Sequence, residues 1–282
     1  MAAALTITEY TDPACPWAFS AEPFRWKLNW MYGDQLTWDV RLVGLSEDPE
    51  AMVAAGFTPE MLAGAFAKIS AEHGMPIDTT VRERLSASIP ACRAAVAAKL
   101  NAPEQTRALI RALAIRNFKG EALDAPETID AAATDVGLDP ATLRTWIDDP
   151  ATQAALDQDM AAVRQPTPAA LVQDERLANW SGGRRYTCPS YELEANGLQL
   201  SAPGFQPFRV YDMAAANLVP GAERRAKPES VTELLEWAGT PLATQEVAVV
   251  MEVSADEARE QLSAVAVEDK VGADGFWSLV AA

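Results

Sequence analysis

The segment Thr11-Asp12-Pro13-Ala14-Cys15-Pro16-Trp17-Ala18-Phe19-Ser20 follows a short run of alternating apolar residues. A reactive dithiol requires two cysteines three residues apart, because side chains at i and i+3 at the start of a helix lie side by side. Cys15 occupies the first of these positions, and Ala18 occupies the second. The segment therefore has the pattern of a thiol redox site from which one of the two sulfurs is missing.

Cys15 is predicted to lie at the start of a helix. Pro16 suits the first helical position, where its missing N–H costs no hydrogen bond, and the residues from Trp17 to Trp30 have a helical pattern. The free amides and the positive end of the helix dipole would favour the thiolate of Cys15. The alternative is a small buried thiol with a packing role, since free cysteine is often buried.

Two predicted strands flank this helix. Apolar and polar residues alternate over 5–10 and again over 36–42, which is typical of half-buried strands. A strand-helix-strand unit favours a parallel pair with a right-handed crossover. This arrangement places the start of the helix, and Cys15, at the carboxyl edge of the sheet, where ligands bind in open α/β folds.

The rest of the chain alternates between helical and strand-like patterns. Residues 50–164 are rich in alanine, have apolar residues at helical spacing and are broken at prolines, which predicts five to seven helices. A further helix is predicted to end near Trp180, before a turn. The segment 186–193 is predicted to be a strand, and Asn196-Gly197 predicts a tight hairpin to a second strand.

This layout, the Cys15-Pro16-Trp17-Ala18 segment and a proline, Pro189, just before a strand resemble the DsbA-like branch of the thioredoxin superfamily. Within that branch, the chain is most similar to the FrnE-type oxidoreductases, the 2-hydroxychromene-2-carboxylate isomerases and the kappa-class glutathione transferases. The resemblance covers about residues 5–219. It implies an α/β fold in which a thioredoxin-like domain, formed by residues 1–48 and 165–222, carries a helical insertion at 49–164.

The resemblance also implies roles for two of the cysteines. In this family the first cysteine attacks and the second resolves, so Cys15 matches the attacking thiol and Ala18 departs from the pattern. Pro189 matches the cis proline of the family, and the residue before it, Cys188, is expected near Cys15. Cys188 or a small cellular thiol would then resolve a mixed disulfide on Cys15. The alternative is that Cys188 only fills a small apolar niche.

Other candidate residues follow from the same resemblance. A helix carrying Cys92 and Arg93 would pack over the cleft, where Arg93 would reach an anionic ligand, although core packing is the stronger interpretation of Cys92. Arg184 and Arg185 would pair with the carboxylate of a small thiol, or else remain solvated at the surface. The predicted substrate-binding residues are Pro16, Trp17, Ala18, Cys92, Arg93, Arg184, Arg185, Thr187 and Pro189.

No metal site and no tightly bound cofactor are predicted. Cys15 and Cys188 supply only two soft ligands, which are too few for a closed tetrahedral site. The lone histidine, His73, precedes Gly74 and is interpreted as a helix cap or a surface residue rather than a base. The one small molecule expected is a low-molecular-weight thiol of the glutathione or mycothiol type.

Composition limits the partners and the compartment. The net charge of −17 repels phosphate backbones and anionic membranes, so neither nucleic acid nor membrane is an expected partner. We find no apolar run of membrane-spanning length and no leader pattern, which predicts a cytoplasmic protein. The three cysteines have unrelated spacings, which does not suggest a disulfide framework and agrees with a reducing compartment.

A separate C-terminal module is predicted at residues 227–282. Three helices, the last capped by Ser254 and Glu257, precede two strands around a turn at 272–275, an order that resembles a winged helix. The expected recognition helix and hairpin are acidic, which argues against DNA binding. We therefore expect the module to pack on the thioredoxin-like domain or on a second subunit of a homodimer. The side chains expected at that contact are Trp237, Leu242, Val249 and Phe276.

Three functions remain open at this point. The leading hypothesis is a thiol-disulfide oxidoreductase or isomerase that uses Cys15 alone and relies on Cys188 or a small thiol for resolution. The second is a thiol-dependent transferase or isomerase like the kappa-class enzymes, in which a bound small thiol is the nucleophile. The third is a non-catalytic thioredoxin-fold adaptor. The reactivity of Cys15 separates the first hypothesis from the third.

Overall fold

The computed structural model describes residues 5–280. Short 3₁₀ turns at Gly33–Gln35, Pro103–Gln105 and Asp174–Arg176 join some of its elements. In chain order, the strands and α-helices of this range are β1 (Leu5–Thr11), α1 (Pro16–Ser20), α2 (Glu22–Tyr32), β2 (Leu36–Leu42), α3 (Pro49–Ala54), α4 (Pro59–His73), α5 (Ile89–Asn101), α6 (Thr106–Phe118), α7 (Pro126–Asp135), α8 (Pro140–Ile147), α9 (Pro150–Val163), α10 (Pro168–Leu171), β3 (Ala178–Trp180), β4 (Gly183–Arg185), β5 (Ser190–Ala195), β6 (Leu198–Ala202), α11 (Phe208–Leu218), α12 (Val231–Ala238), β7 (Leu242–Ala243), α13 (Thr244–Met251), α14 (Ala255–Ser263), β8 (Ala266–Val271) and β9 (Asp274–Leu279).

A four-stranded sheet in the order β2-β1-β5-β6 forms the centre of the thioredoxin-like part. β1 and β2 run parallel, with Leu5 opposite Leu36, as expected for strands joined by a helical crossover. β5 runs antiparallel to both β1 and β6. Asn196 and Gly197 join β5 to β6 with φ values of 54° and 73°, the left-handed conformation that a two-residue type I′ turn requires. The predicted hairpin is confirmed.

The crossover helix is divided in two, whereas the sequence predicted one helix from Trp17 to Trp30. Pro23 lacks an N–H and therefore cannot donate to the carbonyl of Phe19, four residues earlier. The N–H of Ala21 instead bonds to the carbonyls of Trp17 and Ala18, both at 3.1 Å, and closes α1. As a result, α1 is a five-residue helix that begins directly after Cys15.

Seven α-helices, α3 to α9, occupy residues 49–163, a range that the structure describes in full and for which five to seven were predicted. Asp48, Thr58, Asp139 and Asp149 cap four of them through side-chain oxygens, and a proline follows each cap. Most alanines of α5 are buried, which lets α6, α8 and α9 approach it closely. None of the helices within residues 5–280 is long and apolar enough to cross a bilayer.

The segment between the insertion and β5 departs from the prediction. α10 ends at Leu171, and residues near Trp180 form β3, which pairs with β4 rather than continuing a helix. The indole N–H of Trp180 donates to the carbonyl of Arg184 at 3.2 Å, so contacts across the turn outweigh the local helical pattern. The strand expected from Tyr186 begins only at Ser190, after the proline segment.

The C-terminal module consists of α12, α13 and α14 with a sheet in the order β7-β9-β8. The three helices and the two strands around 272–275 follow the prediction, and Ser254 and Glu257 cap α14 reciprocally. β7 was missed because two residues are too few to show alternation. The likeness to a winged helix rests on this order of elements.

This module packs on α2 of the thioredoxin-like part. Trp30 of α2 is buried within the module's apolar core, together with Leu242. Phe276 is also buried, as predicted. The docking therefore occurs within one chain.

The other two side chains of the predicted contact are less buried. Trp237 packs on α2, as predicted, with its ring centroid 5.8 Å from that of Trp26 and 5.0 Å from that of Trp30, although it remains 37% exposed. Val249 is half-buried, whereas its neighbours Val247 and Val250 are buried.

Buried charges meet where β1, α2, α6 and α13 come together. Arg111 of α6 donates to both carboxylate oxygens of Glu246 of α13, at 2.5 and 2.8 Å. Three guanidinium groups also surround Glu22 of α2. These pairs join the insertion, the thioredoxin-like part and the C-terminal module. We call this group the junction cluster, and its members are Glu9, Glu22, Arg25, Arg107, Arg111 and Glu246.

Candidate thiol site

Cys15 lies between the end of β1 and the start of α1. It is the N-cap residue of α1 and has an extended backbone conformation, with φ −82° and ψ 112°. Its side chain is buried, and Sγ donates a hydrogen bond to the carbonyl oxygen of Cys188 at 3.3 Å. The thiol therefore lies at the carboxyl edge of the sheet, against a segment 173 residues away in the sequence.

Cys188 and Pro189 form the opposing side of the site. The peptide bond between them is cis, and both side chains are buried. A hydrogen bond with the Cys15 side chain and burial raise the pKa of the Cys188 thiol well above its usual value, while the charge of Arg185 acts in the opposite direction. All three cysteines are unpaired. The structure thus brings together Cys15, Ala18 and Cys188, which the sequence proposed as one site.

An apolar wall surrounds the two sulfurs. Val43 and Val163 are buried against them, and Ala18 occupies the place of the missing second sulfur. Tyr10 and Tyr186 stack with their ring centroids 4.0 Å apart, at the same wall. The site therefore has a low local polarity, in which the few polar contacts of the thiols matter more than they would in water.

Asp12, which sequence reasoning did not single out, organises the floor of the site. Its carboxylate accepts from the N–H groups of Ala14 and Leu45 at 2.8 Å and from the hydroxyl of Ser88 at 2.9 Å. The thiol of Cys92 donates to the same carboxylate at 3.4 Å. Burial raises the pKa of Asp12 above the usual value and outweighs these hydrogen bonds, which lower it. The sequence feature that could have identified Asp12 is an acidic residue at the end of a strand, three residues before a cysteine.

Cys92 and Arg93 do not join the predicted cleft. Cys92 is fully buried in an apolar cluster beneath β2, so its predicted contact with substrate is wrong and its core interpretation is correct. Burial also raises the pKa of its thiol well above the usual value. Arg93 is half-buried on α5 and does not line the cleft that contains Arg185.

The two arginines before Cys188 differ in their surroundings. Arg184 pairs with Asp174 on the exposed hairpin, where Nε lies 2.5 Å from Oδ1, so the surface interpretation holds for it. Arg185 is half-buried, donates to the carbonyl of Tyr186 at 2.9 Å and lines a cleft of about 310 Å³ beside the thiol wall. Arg164, whose guanidinium stacks 5.0 Å from the Trp180 ring, lines the same cleft. Residues 43–57 form its other side, with apolar side chains such as Leu45 and Phe57 and the acidic side chains of Glu47 and Asp48.

Aromatic rings form the outer rim of the site. Trp17 is 38% exposed, and its ring lies 5.1 Å from that of His73 and 5.7 Å from that of Phe205. His73 ends α4, as predicted, but it packs on Trp17 instead of facing solvent freely, and burial lowers its pKa. Pro16, which precedes Trp17, and Thr187, which precedes Cys188, are both half-buried. The exposed part of this rim is therefore apolar.

Comparison with known proteins agrees with this architecture. Residues 6–193 match the sequence profile of the DSBA-like thioredoxin domain. The chain belongs to the DSBA-like thioredoxin domain family. Its fold is similar to that of a putative protein disulfide isomerase from Nitrosomonas europaea, with a TM-score of 0.55, 15% identity, and coverage of 77% of this chain and 96% of the other. The cytosolic disulfide reductase DsbM from Pseudomonas aeruginosa gives a TM-score of 0.53 at 15% identity, with coverage of 76% and 99%.

A curated relative extends beyond the family domain. The ClpXP adapter protein SpxH of Shouchella clausii is 26% identical over 276 residues, which is 95% of this chain and 85% of that protein. The similarity therefore includes most of the C-terminal module, which the family profile does not reach. The thioredoxin-like fold of the family, with many helices and a small C-terminal sheet, is thus the fold of this chain.

Proposed function

We propose that the protein carries out thiol-disulfide exchange through Cys15, with Cys188 or a small cellular thiol as the resolving group. The observation that carries this proposal is the contact between Cys15 Sγ and the Cys188 carbonyl beside Pro189. A DsbA-like fold supports oxidoreductase or isomerase chemistry at this edge of the sheet. Three unpaired cysteines fit a reducing compartment such as the cytoplasm.

The exchange needs no group other than thiols and disulfides. The thiolate of Cys15 would attack one sulfur of a substrate disulfide, which breaks the S–S bond, and the departing thiolate takes up a proton. The product is a mixed disulfide on Cys15. Ala18 cannot attack it, so either a second small thiol regenerates Cys15 or the Cys188 thiolate displaces the bound group and forms a Cys15–Cys188 disulfide. Both routes conserve electrons: the first releases a disulfide of the two small thiols and restores the Cys15 thiol, whereas the second releases the bound group as a thiol and leaves the disulfide in the protein.

The cleft beside the site fits a small thiol that carries a carboxylate. Arg185 and Arg164 supply guanidinium groups at one side, and Leu45 and Phe57 supply apolar surface at the other, beside the acidic Glu47 and Asp48. A guanidinium binds a carboxylate through two parallel hydrogen bonds, which fixes its orientation. A ligand held there would present its sulfur toward the apolar wall that contains Cys188.

Intact mass spectrometry of the full chain, purified without reductant, tests the proposal. We expect either an adduct whose mass identifies a small thiol or the loss of two hydrogens through a Cys15–Cys188 bond. Cys15→Ala should abolish the Cys15–Cys188 bond and the adduct that peptide mapping places on Cys15. Cys92→Ser, which keeps a donor to Asp12, is the matched control and should leave them unchanged, because Cys92 is fully buried. Protein that remains reduced and unmodified after exposure to small disulfides would refute the proposal.

A second candidate is an adapter that delivers a protein to a ClpXP-type protease. The similarity to SpxH favours it, because that similarity includes the C-terminal module as well as the family domain. An adapter of this kind would bind purified ClpX with the full chain in its reduced state. Binding that is equal for the wild type and Cys15→Ala would support an adapter role independent of thiol chemistry, and no binding would remove this candidate.

A further inference from the structure

A buried carboxylate lies beneath the thiol site, and the proposed exchange gives it no part. Asp12 directly follows β1 and is only 2% exposed. Its backbone carbonyl accepts from the N–H of Cys15 at 2.9 Å, and one carboxylate oxygen accepts from the N–H of Ala14 at 2.8 Å. The side chain of Asp12 is therefore fixed within the turn that presents the reactive thiol.

The contacts of this carboxylate favour its charged form, although burial opposes it. The N–H groups of Ala14 and Leu45 can only donate, so each requires an acceptor oxygen. The hydroxyl of Ser88 accepts from the N–H of Ser46 at 3.2 Å and therefore directs its own hydrogen to Asp12. A carboxylate accepts all three bonds, whereas a neutral carboxyl group would place its own hydrogen among these donors.

The anion disfavours a thiolate at Cys92. The thiol of Cys92 donates directly to Asp12 at 3.4 Å, so loss of its proton would leave two negative charges in contact. Burial and the charge of Asp12 both raise the pKa of this thiol. Asp12 therefore restrains at least one of the three thiols, and the same charge acts on a second.

Several ionisable groups surround that second thiol, Cys188. The Cys15 side chain and burial raise its pKa, the charge of Asp12 adds to their effect, and the charge of Arg185 opposes it. The tyrosine hydroxyls at the same wall are neutral, because burial raises their pKa above the ordinary value. In a mixed disulfide the sulfur of Cys15 carries neither hydrogen nor charge. Asp12 then remains as a charge that opposes a thiolate at Cys188.

We propose that Asp12 keeps Cys188 protonated in the mixed disulfide and thereby directs resolution to a small external thiol. This inference rests on the proposed exchange through Cys15. The external thiolate attacks the sulfur of the bound group, the bond from that sulfur to Cys15 breaks, and Cys15 leaves as a thiolate that takes up a proton. The competing route needs a Cys188 thiolate, whereas an external thiol loses its proton in water, away from Asp12.

The fate of the mixed disulfide can be measured in the full chain. Reduced protein is treated with bis(2-hydroxyethyl) disulfide, the excess is removed, and intact mass follows conversion to a Cys15–Cys188 bond at a series of pH values. In the wild type at neutral pH we expect the mixed disulfide to persist until 2-mercaptoethanol is added. Prompt conversion without added thiol would overturn the proposal.

Asp12→Asn removes the charge at nearly constant size. Conversion at neutral pH should become at least about threefold faster, the net gain for each unit by which the Cys188 pKa falls, after allowance for its lower nucleophilicity. The pH at which the conversion rate reaches half its maximum should also fall. A loosened site would change the rate at every pH without moving this half-maximal pH, so the pH profile separates the charge from a structural role.

Two further variants complete the test. Asp12→Ser also lacks the charge, keeps an acceptor for the N–H of Ala14 and should lower the half-maximal pH as well, which tests the proposal even if Asp12→Asn does not fold. Asp124→Asn is the control, since it removes a half-buried carboxylate that accepts from the N–H of Ala87 at 3.0 Å, and it should convert as the wild type does.

Failure of this inference and failure of the proposed exchange give different results. A wild-type protein in which Cys15 forms no mixed disulfide would refute both. A mixed disulfide that forms on Cys15 and converts with the same half-maximal pH in the wild type and in the Asp12 variants would refute the role of Asp12 alone.

Discussion

The thiol site and the junction cluster are both buried, yet they are built in opposite ways. Around Cys15 and Cys188 the surroundings are apolar, and a single carbonyl contact holds the Cys15 sulfur. In the junction cluster, charged side chains from three parts of the chain form ion pairs with one another through several short contacts. A weakly partnered thiol is free to exchange its bond, whereas paired buried charges resist any change. We therefore expect the first region to react and the second to hold the modules together.

Breaking the junction cluster should have the largest effect. Glu246→Gln keeps the shape of the side chain but leaves Arg111 without its main counterion, so we expect the free energy of unfolding to fall by about 3 to 5 kcal/mol. Urea denaturation measures this change in the free energy of unfolding. Glu121→Gln removes a more exposed partner of Arg116 and is the control, with an expected loss of about 1 kcal/mol or less. Similar losses of unfolding free energy in both variants would show that the junction cluster stabilises the fold no more than an exposed ion pair does.

Acid should weaken the same cluster. Burial alone would raise the pKa of Glu22, but Arg107, Arg25 and Arg111 outweigh it and lower the pKa to about 2. A carboxyl group whose pKa is lowered in the folded protein stabilises the fold at pH values above the pKa of the unfolded chain, which is near 4.5. This contribution is lost as the pH falls toward 2. The loss should be about 3 kcal/mol.

The wild type alone would not isolate this effect, because burial raises the pKa of Glu9 and Asp12 and gives them the opposite pH dependence. Comparison of unfolding curves for the wild type and Glu22→Gln removes their contribution. The difference between the two should shrink as the pH falls from 4.5 to 2. Glu104→Gln, at an exposed position, should follow the wild type throughout. A difference that is constant with pH would show that Glu22 is not held as an ion.

At the thiol site the expected effect is smaller and concerns reactivity. The hydrogen bond with the Cys15 side chain is the first cause of the raised pKa of Cys188. In Cys15→Ala that pKa should therefore fall, and Cys188 should react with iodoacetamide several-fold faster at a fixed pH near neutrality. Peptide mapping of the alkylated protein gives the rate. Cys92→Ser, which keeps a donor to Asp12, should leave the rate unchanged, and an unaltered rate in Cys15→Ala would show that the two thiols are not coupled.

The rim of the site should show the smallest effect. The chain has one histidine, so a proton NMR titration follows His73 alone. Burial lowers the pKa of His73, and part of that burial comes from the Trp17 ring. Trp17→Ala should raise the pKa toward its ordinary value, with little change in stability. Trp237→Ala, which removes an equally exposed indole in the C-terminal module, is the control and should leave the titration unchanged.

Local patterns in the sequence were sufficient for much of the fold. The alternation at 5–10, the Asn196-Gly197 turn and the cap formed by Ser254 and Glu257 each depend on neighbouring residues, and each appears in the structure. The break at Pro23 and the β3-β4 hairpin were missed, although Pro23 itself was visible. The hairpin is held by contacts across a turn, for which the helical pattern before Trp180 gave no sign.

For a similar reason, the site could be predicted only in part from the sequence. Cys15 and Cys188 were brought together by resemblance to a family and not by any local pattern. Asp12 has four hydrogen-bond partners, of which Leu45, Ser88 and Cys92 lie far from it in the sequence. The junction cluster likewise joins residues from 9 to 246, and no spacing rule connects them. Long-range polar contacts of this kind become visible only in the folded chain.

The central claim is that Cys15 is the reactive thiol of the protein. Bis(2-hydroxyethyl) disulfide carries no recognition group, so its reaction with the reduced full chain at neutral pH reports on the thiols alone. Intact mass and peptide mapping over time should show one mixed disulfide on Cys15, or a Cys15–Cys188 bond that replaces it, while Cys92 stays unmodified. An unmodified Cys15 beside a reacted Cys188 or Cys92 would contradict the account and make Cys15 a packing residue.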